Sequence, residues 1–188
     1  MTDQQLWHKL KEGDKQALRK IYDLQLEYLL QYALRLTRNE ELIQDCIHDL
    51  FIEIWNRRDS LSETTAIRPY LIVALRRKLI RHLQKGQKSE ELDRQGEIGW
   101  EEGVEDLLIQ GEQTALQSQK LKSAMEQLSS RQKEAIFLKY YEEMDYKEVA
   151  EAMDINYQSV RNLIFNGIKK LRDILVSILI LLTFFSKL

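Results

Sequence analysis

The sequence predicts an all-α protein made of two small helical domains joined by a flexible acidic linker. Two observations carry this. The chain has one proline in 188 residues, so few helices are forcibly broken. Five of its seven glycines (Gly86, Gly96, Gly99, Gly103 and Gly111) fall between positions 86 and 111, which leaves the flanks almost free of helix breakers. A third observation is the charge. The overall net of -2 hides +4 over residues 1–88, -8 over 89–117 and +2 over 118–188. Residues 89–117 carry four of the glycines and show no sustained apolar period until their end, so they read as the linker. A surface loop of that length is uncommon inside a compact domain.

In the first block, Asp14 is placed to cap a helix running to about Thr37, with Ala17, Leu18, Ile21, Tyr22, Leu29, Ala33 and Leu36 near helical spacing. Asn39 caps the next helix, and Glu40 and Glu41 suit its positive end. Its apolar residues, Leu42, Ile43, Cys46, Ile47, Leu50, Phe51, Ile54 and Trp55, follow i, i+3, i+4, i+7, i+8 without a miss, the strongest helix signal in the chain. Cys46 lies inside that stripe and reads as a small core residue. A third helix is expected from around Arg68-Pro69, with the proline tolerated in its first turn. From Thr64 to Lys88 there is no acidic residue, while Arg68, Arg76, Arg77, Lys78, Arg81, Lys85 and Lys88 are basic and His82 adds a partial charge. Charge alone leaves two readings open: a footprint for phosphates, or a solvated face paired with acidic neighbours.

In the second block, Ser129 and Gln132 have capping-box spacing, and so do Asp145 and Glu148. Asp145 opens a short helix from Tyr146 to Met153, with Val149, Ala150 and Met153 inward. Asp154-Ile155-Asn156 makes a tight turn, and Asn156 caps a helix from Tyr157 to about Leu175, with Val160, Leu163, Ile164, Ile168 and Leu171 inward. A short helix, a three-residue turn and a second helix is helix-turn-helix spacing. Tyr157, Gln158, Ser159, Arg161 and Asn162 face outward in the first two turns of the second helix and are types that bond base edges and phosphates. Lys169, Lys170 and Arg172 follow and suit the phosphate backbone.

Other chemistry is not signalled. His8, His48 and His82 lie in three segments, and Cys46 and His48, two apart on a helix, point to different faces. There is no glycine-rich phosphate loop and no nucleophile elbow. No enzyme, metal, cofactor or small-molecule substrate is expected. Met1 to Lys11 has no apolar core, so no signal peptide is expected, and a cytoplasmic site is the simplest. The end, ILVSILILLTFF from Ile174 to Phe185, would span about 18 Å as a helix, against the roughly 30 Å of a bilayer core. Two uses remain for this apolar tail, 176–188: the helix after Asn156 continues and its end packs on the second domain or between domains, or the tail is a patch for a protein partner or membrane surface.

The stretch LSSRQKEAIFLKYYEEMDYKEVAEAMDINYQSVRNLIFNGIKKLRD resembles region four of bacterial sigma factors. GDKQALRKIYD, NEELIQDCIHDLFIEIW and RPYLIVALRRKLIRHL, in that order, resemble region two. Together they resemble an extracytoplasmic-function sigma factor, the minimal two-domain class of the sigma-70 family. The resemblance implies domains at 1–88 (region two), 89–117 (acidic linker) and 118–175 (region four). It implies that Asp45, His48, Asp49, Phe51 and Trp55 lie on a helix that docks on core RNA polymerase. Phe51 and Trp55 also sit on the apolar stripe and suit core packing equally. Arg76, Arg77, Lys78, Arg81, His82 and Lys85 would meet the minus-ten element and help open it. Tyr157, Gln158, Ser159, Arg161, Asn162, Lys169 and Lys170 would meet the minus-thirty-five element. An anti-sigma factor, of the kind that can be membrane-bound, is the further partner implied. Arg77 and Arg81 stand where the family often has Asn and Asp. Asp154 replaces a usual turn glycine, Asn166 a frequent Arg, and Gly167 a usual Ala. The alternative is a two-domain helix-turn-helix regulator that does not join polymerase.

Overall fold

The computed structural model describes residues 1–87, Trp100 and 123–185, with side chains described for 1–85, Trp100 and 123–174. Most of the acidic stretch 89–117 and the side chains of the tail 176–188 lie outside the described residues. Among the described residues there is no strand. The chain divides into two compact units, Met1–Glu101 and Glu102–Leu188.

The first unit opens with a helix that the sequence pattern does not announce, α1 (Asp3–Lys11). Thr2 and Gln5 form its capping box, each side chain accepting from the other's backbone N–H. Leu6, Trp7 and Leu10 are its entire apolar content, and all three are buried. Trp7 donates its indole N–H to the Ser62 carbonyl at 2.9 Å and meets Tyr70 edge-on at 4.9 Å between ring centres. Gly13, with φ +86, turns the chain into α2 (Lys15–Leu36), a conformation that favours glycine. Asp14 caps α2 by accepting from the N–H groups of Gln16 and Ala17. Asn39 caps α3 (Glu40–Asn56) by accepting from Leu42 N–H at 3.0 Å. Cys46 is buried in the α3 stripe, and burial pushes its thiol pKa up, as suits a packing residue. The fourth helix, α4, is Ile67–Gln87, so Pro69 sits in its first turn, where a missing N–H costs little. The Ile67 N–H at its start donates to Asp3 Oδ2 at 3.0 Å, which ties the first residues of the unit to the last helix. Helices α2, α3 and α4 share one core through Leu29, Tyr32, Ile43, Leu50, Leu71, Leu75 and Leu79. Trp100 also belongs to this unit: it is 7% exposed, its ring 6.0 Å from that of Tyr32.

The second unit begins, in its described part, with a helical turn at 123–126. The Ser129–Gln132 capping box then starts α5 (Ser130–Tyr140). Helix α6 (Tyr146–Met153) starts at Asp145, which accepts from Lys147 and Glu148 N–H at 2.7 and 2.8 Å, while Glu148 accepts from Asp145 N–H. Asp154 ends α6 in the left-handed conformation, φ 53 and ψ 48, which Asp tolerates better than most residues. Asn156 then caps α7 (Tyr157–Phe185), accepting from Ser159 N–H at 2.8 Å.

Helix α7 passes Leu175 and runs to Phe185, the continuation that the packing reading of the tail supposes. Two details of the sequence reading change. Ala150 is only half-buried, and Ala152 fills the inward position of α6. Ile168 is 40% exposed, because Gly167 takes the inward place between Ile164 and Leu171. A Cβ on Gly167 would lie 2.8 Å from Ile136 Cδ1, so the glycine lets α7 approach α5 closely. Beyond it, Leu171 and Ile174 pack against Ala124, Met125 and Leu128.

The α6 cap has a pH signature. Hydrogen bonds from the Glu148 and Lys147 backbone hold the Asp145 carboxyl below the ordinary aspartate value. The stabilisation is therefore present above about pH 4, the unfolded aspartate value, and fades as pH falls through the lower folded value. Asp145→Ala is expected to cost the second unit about 1 kcal/mol at pH 7. In thermal melts the gap between variant and wild type should narrow below about pH 4. A gap that stays constant from neutral pH down through strong acid would contradict the cap.

Candidate nucleic-acid interface

In the second unit, the α6–turn–α7 corner presents the first two turns of α7 outward. Tyr157, Gln158, Arg161 and Asn162 are exposed, and Ser159 is half-buried. Gln158 donates from Nε2 to Asn162 Oδ1 at 3.2 Å, so the two amides are pre-oriented one turn apart. The Tyr146 ring lies 5.8 Å from that of Tyr157, and Lys139 sits 5.2 Å above Tyr146. Lys139 also donates to the Met144 carbonyl at 3.0 Å, which secures the loop before α6. Lys169 and Lys170 are exposed farther along α7, and the Lys170 ammonium is bonded to the Gln127 carbonyl. Tyr140, Tyr146, Arg161, Phe165, Lys169 and Arg172 border an open groove of about 530 Å³ beside α7. Sequence reasoning does not single out Phe165. Its position outside the i, i+3, i+4 core stripe of α7 is the available signal.

In the first unit, the basic run on α4 separates into two groups. Arg77, Arg81, His82 and Lys85 are exposed. Arg76 is only 9% exposed, and Lys78 is half-buried with its ammonium on the Glu53 carboxylate of α3. Those two cations are turned to the fold, which removes them from the surface a nucleic acid can meet. The cause is helical geometry. Position 76 shares the buried side of α4 with Ile72, Leu75 and Leu79, so the aliphatic stem of Arg76 is carried inward with them.

The acidic side of α3 is exposed at Asp45, His48 and Asp49. Phe51 is buried, its ring edge-on to Tyr22 at 4.9 Å. Trp55 is half-buried, with the Arg58 guanidinium 4.7 Å over its ring. These two aromatics therefore serve packing. Ile52, 44% exposed, joins the acidic face instead, one turn after His48. Its departure from the core stripe is visible in the sequence. Among the described residues no cluster of His, Cys, Asp or Glu is arranged to hold a metal ion. Among them, too, no helix is long and apolar enough to cross a membrane.

Comparison with known proteins places both units. Residues 21–89 match the family model of sigma-70 region 2, and residues 118–171 match that of sigma-70 region 4. The chain is 22% identical over 161 residues to the ECF RNA polymerase sigma factor SigM of Bacillus subtilis (strain 168), covering 81% of this chain and 91% of that protein. Two solved structures share the fold. The structure of CnrH in complex with the cytosolic domain of CnrY matches with a TM-score of 0.59 at 18% identity, over 93% of this chain and 97% of that one. The sigma factor RpoE of Bartonella quintana, solved with the anti-sigma factor NepR, matches with a TM-score of 0.56 at 17% identity, over 84% and 95%. With region 2 in the first unit, region 4 forming the helix-turn-helix of the second, and the two in that order over more than half of the chain, the protein belongs to the sigma-70 family, in its extracytoplasmic-function class, and is a transcription initiation factor.

Proposed function

We propose that the two units divide promoter recognition between them. The first 88 residues hold core polymerase through the acidic face of α3, Asp45, His48 and Asp49, with Ile52 as an apolar contact. The exposed cations of α4, Arg77, Arg81, His82 and Lys85, attract the minus-ten region and steady its opened strand. The second unit sets α7 in the major groove of the minus-thirty-five element, with Gln158, Arg161 and Asn162 at base edges and Lys169 and Lys170 at phosphates. Strand opening needs no hydrolysis by this chain, because a base flipped from the stack into a pocket traps the open state. Each unit alone binds DNA weakly, and tethering both to polymerase raises their effective concentration at correctly spaced elements.

The observation that carries this reading is the exposed Gln158–Asn162 pair beside Arg161 on the second helix of a helix-turn-helix. The acidic linker, net -8 over 89–117, suits a path where DNA must not compete with it. A protein antagonist is part of the proposal, since two similar structures are complexes of this kind: CnrH with the cytosolic domain of CnrY, and RpoE with the anti-sigma factor NepR. The work takes place in the cytoplasm, where polymerase and promoter meet.

The test is reconstitution. The full chain added to core polymerase should give a stable complex that initiates at specific promoters. Asp45→Lys with Asp49→Lys should weaken polymerase binding at least about tenfold by reversing the charge of the α3 face. Binding of the same variant to promoter duplex through the second unit should be unchanged. Undiminished polymerase binding by this variant would remove α3 from the interface.

A further inference from the structure

Phe165 is the most exposed large apolar side chain among the described residues, at 69%. Its ring contributes little to the core, which α7 meets through Val160, Ile164, Gly167 and Leu171. On a helix of 3.6 residues per turn, Phe165 points within about 20° of Gln158, 40° of Arg161 and Lys169, and 60° of Asn162. The ring thus stands in the same outward row as the residues assigned to base edges and phosphates. Gln158, Arg161, Asn162 and Lys169 are hydrogen-bonding or cationic groups, and Ile168, 40% exposed, is the apolar neighbour about one turn on. The adjoining groove is lined by Arg161, Lys169 and Arg172, with no carboxylate, beside apolar Ile164, Phe165 and Ile168, which suits a polyanion that also presents an apolar group.

A helix in the major groove meets one apolar group on the base edges, the C5-methyl of thymine. Phe165 lies about 10 Å farther along the helix axis than Gln158, far enough for the two side chains to meet different base pairs. We propose that Phe165 is a specificity residue that packs on a thymine methyl in the promoter element bound by α7, at a base pair other than the one met by Gln158. This rests on the reading that α7 lies in the major groove. It adds to that reading a residue and a base type, and it explains why a phenyl ring is kept in water on a DNA-facing row. A protein partner seated on the same ring is the competing occupant.

The experiment uses holoenzyme, the full chain with core polymerase, and a duplex that this holoenzyme selects from a random pool. Each thymine of the upstream element is replaced singly by deoxyuridine, which deletes only the methyl. Wild type should lose about fourfold in affinity at one position, the effect of one buried methyl-sized group. Phe165→Ala should bind the thymine duplex more weakly by at least that factor and show no further loss with deoxyuridine at that position. Its melting temperature should match wild type, because the ring is in solvent. No methyl-sensitive position in wild type overturns the proposal, and so does an equal loss in the alanine variant. A variant that binds DNA like wild type but loses polymerase makes Phe165 a protein contact and also overturns it. Those results leave major-groove binding by α7 standing. A wild-type holoenzyme with no sequence-dependent binding to any duplex overturns both.

Discussion

Trp7→Ala is expected to destabilise the first unit by about 3–5 kcal/mol, the usual range for removing a fully buried tryptophan. Three losses combine. The indole leaves a cavity between α1 and α4, the edge-on contact with Tyr70 disappears, and the Ser62 carbonyl loses its donor at 2.9 Å. Helix α1 has nine residues and three buried side chains, so it has little else to hold it. Its release would also free the Ile67 N–H that Asp3 accepts, which loosens the start of α4. Urea unfolding followed by circular dichroism should show the first unit's transition moved to lower denaturant and the second unit's unchanged. Trp7→Phe keeps the ring contact and loses the hydrogen bond, so about 1–2 kcal/mol is expected. A loss under about 1 kcal/mol for the alanine variant would mean that α1 is an ornament of the unit and not part of its core.

The second large effect is on DNA. Arg161→Ala is expected to cost about 1–3 kcal/mol of promoter affinity, roughly 5- to 150-fold, and to relax preference at one base pair. Lys169→Ala should instead weaken binding evenly across sequences and lower the slope of log affinity against log salt by about 1. The contrast follows from position. Arg161 lies in the second turn of α7 beside the Gln158–Asn162 pair, where side chains reach base edges. Lys169 lies two turns on, and in the proposed docking that part of the helix would leave the groove floor and meet phosphates. Neither change touches the α3 face, so association with core polymerase should be unaffected. Equal loss of polymerase and DNA binding by Arg161→Ala would refute the division of labour between the units.

Much of this architecture is legible in the sequence because local rules suffice for it. Asp14, Asn39, Ser129, Asp145 and Asn156 each read as caps, and each accepts the backbone bond expected of it. What escapes depends on partners distant in sequence. Helix α1 has too few apolar residues to show a period, and its partners Ser62 and Tyr70 lie more than fifty residues away. The pairing of Lys78 with Glu53 divides a basic run that looks uniform in one dimension. Ile168 reads as inward because i+4 from Ile164 fits a helix. Position 167, at i+3, fits equally well, but a glycine carries no hydrophobic signal to betray its burial. On the site itself, residue type points to α7 and to the acidic face of α3, and the stripe already sets Ile52 apart from Phe51 and Trp55, while burial shows how far each is turned to the core.

Trp100 sits inside the most acidic part of the chain, yet its indole is folded against Tyr32 of α2. Composition puts the border of the first unit at residue 88, whereas packing puts it at Glu101. A fragment cut at the compositional border is expected to lose the Trp100 indole, and with it an aromatic contact of Tyr32. Carried through to Glu101, the same fragment keeps that contact. For choosing where to cut, the aromatic ring is therefore a better guide than the charge.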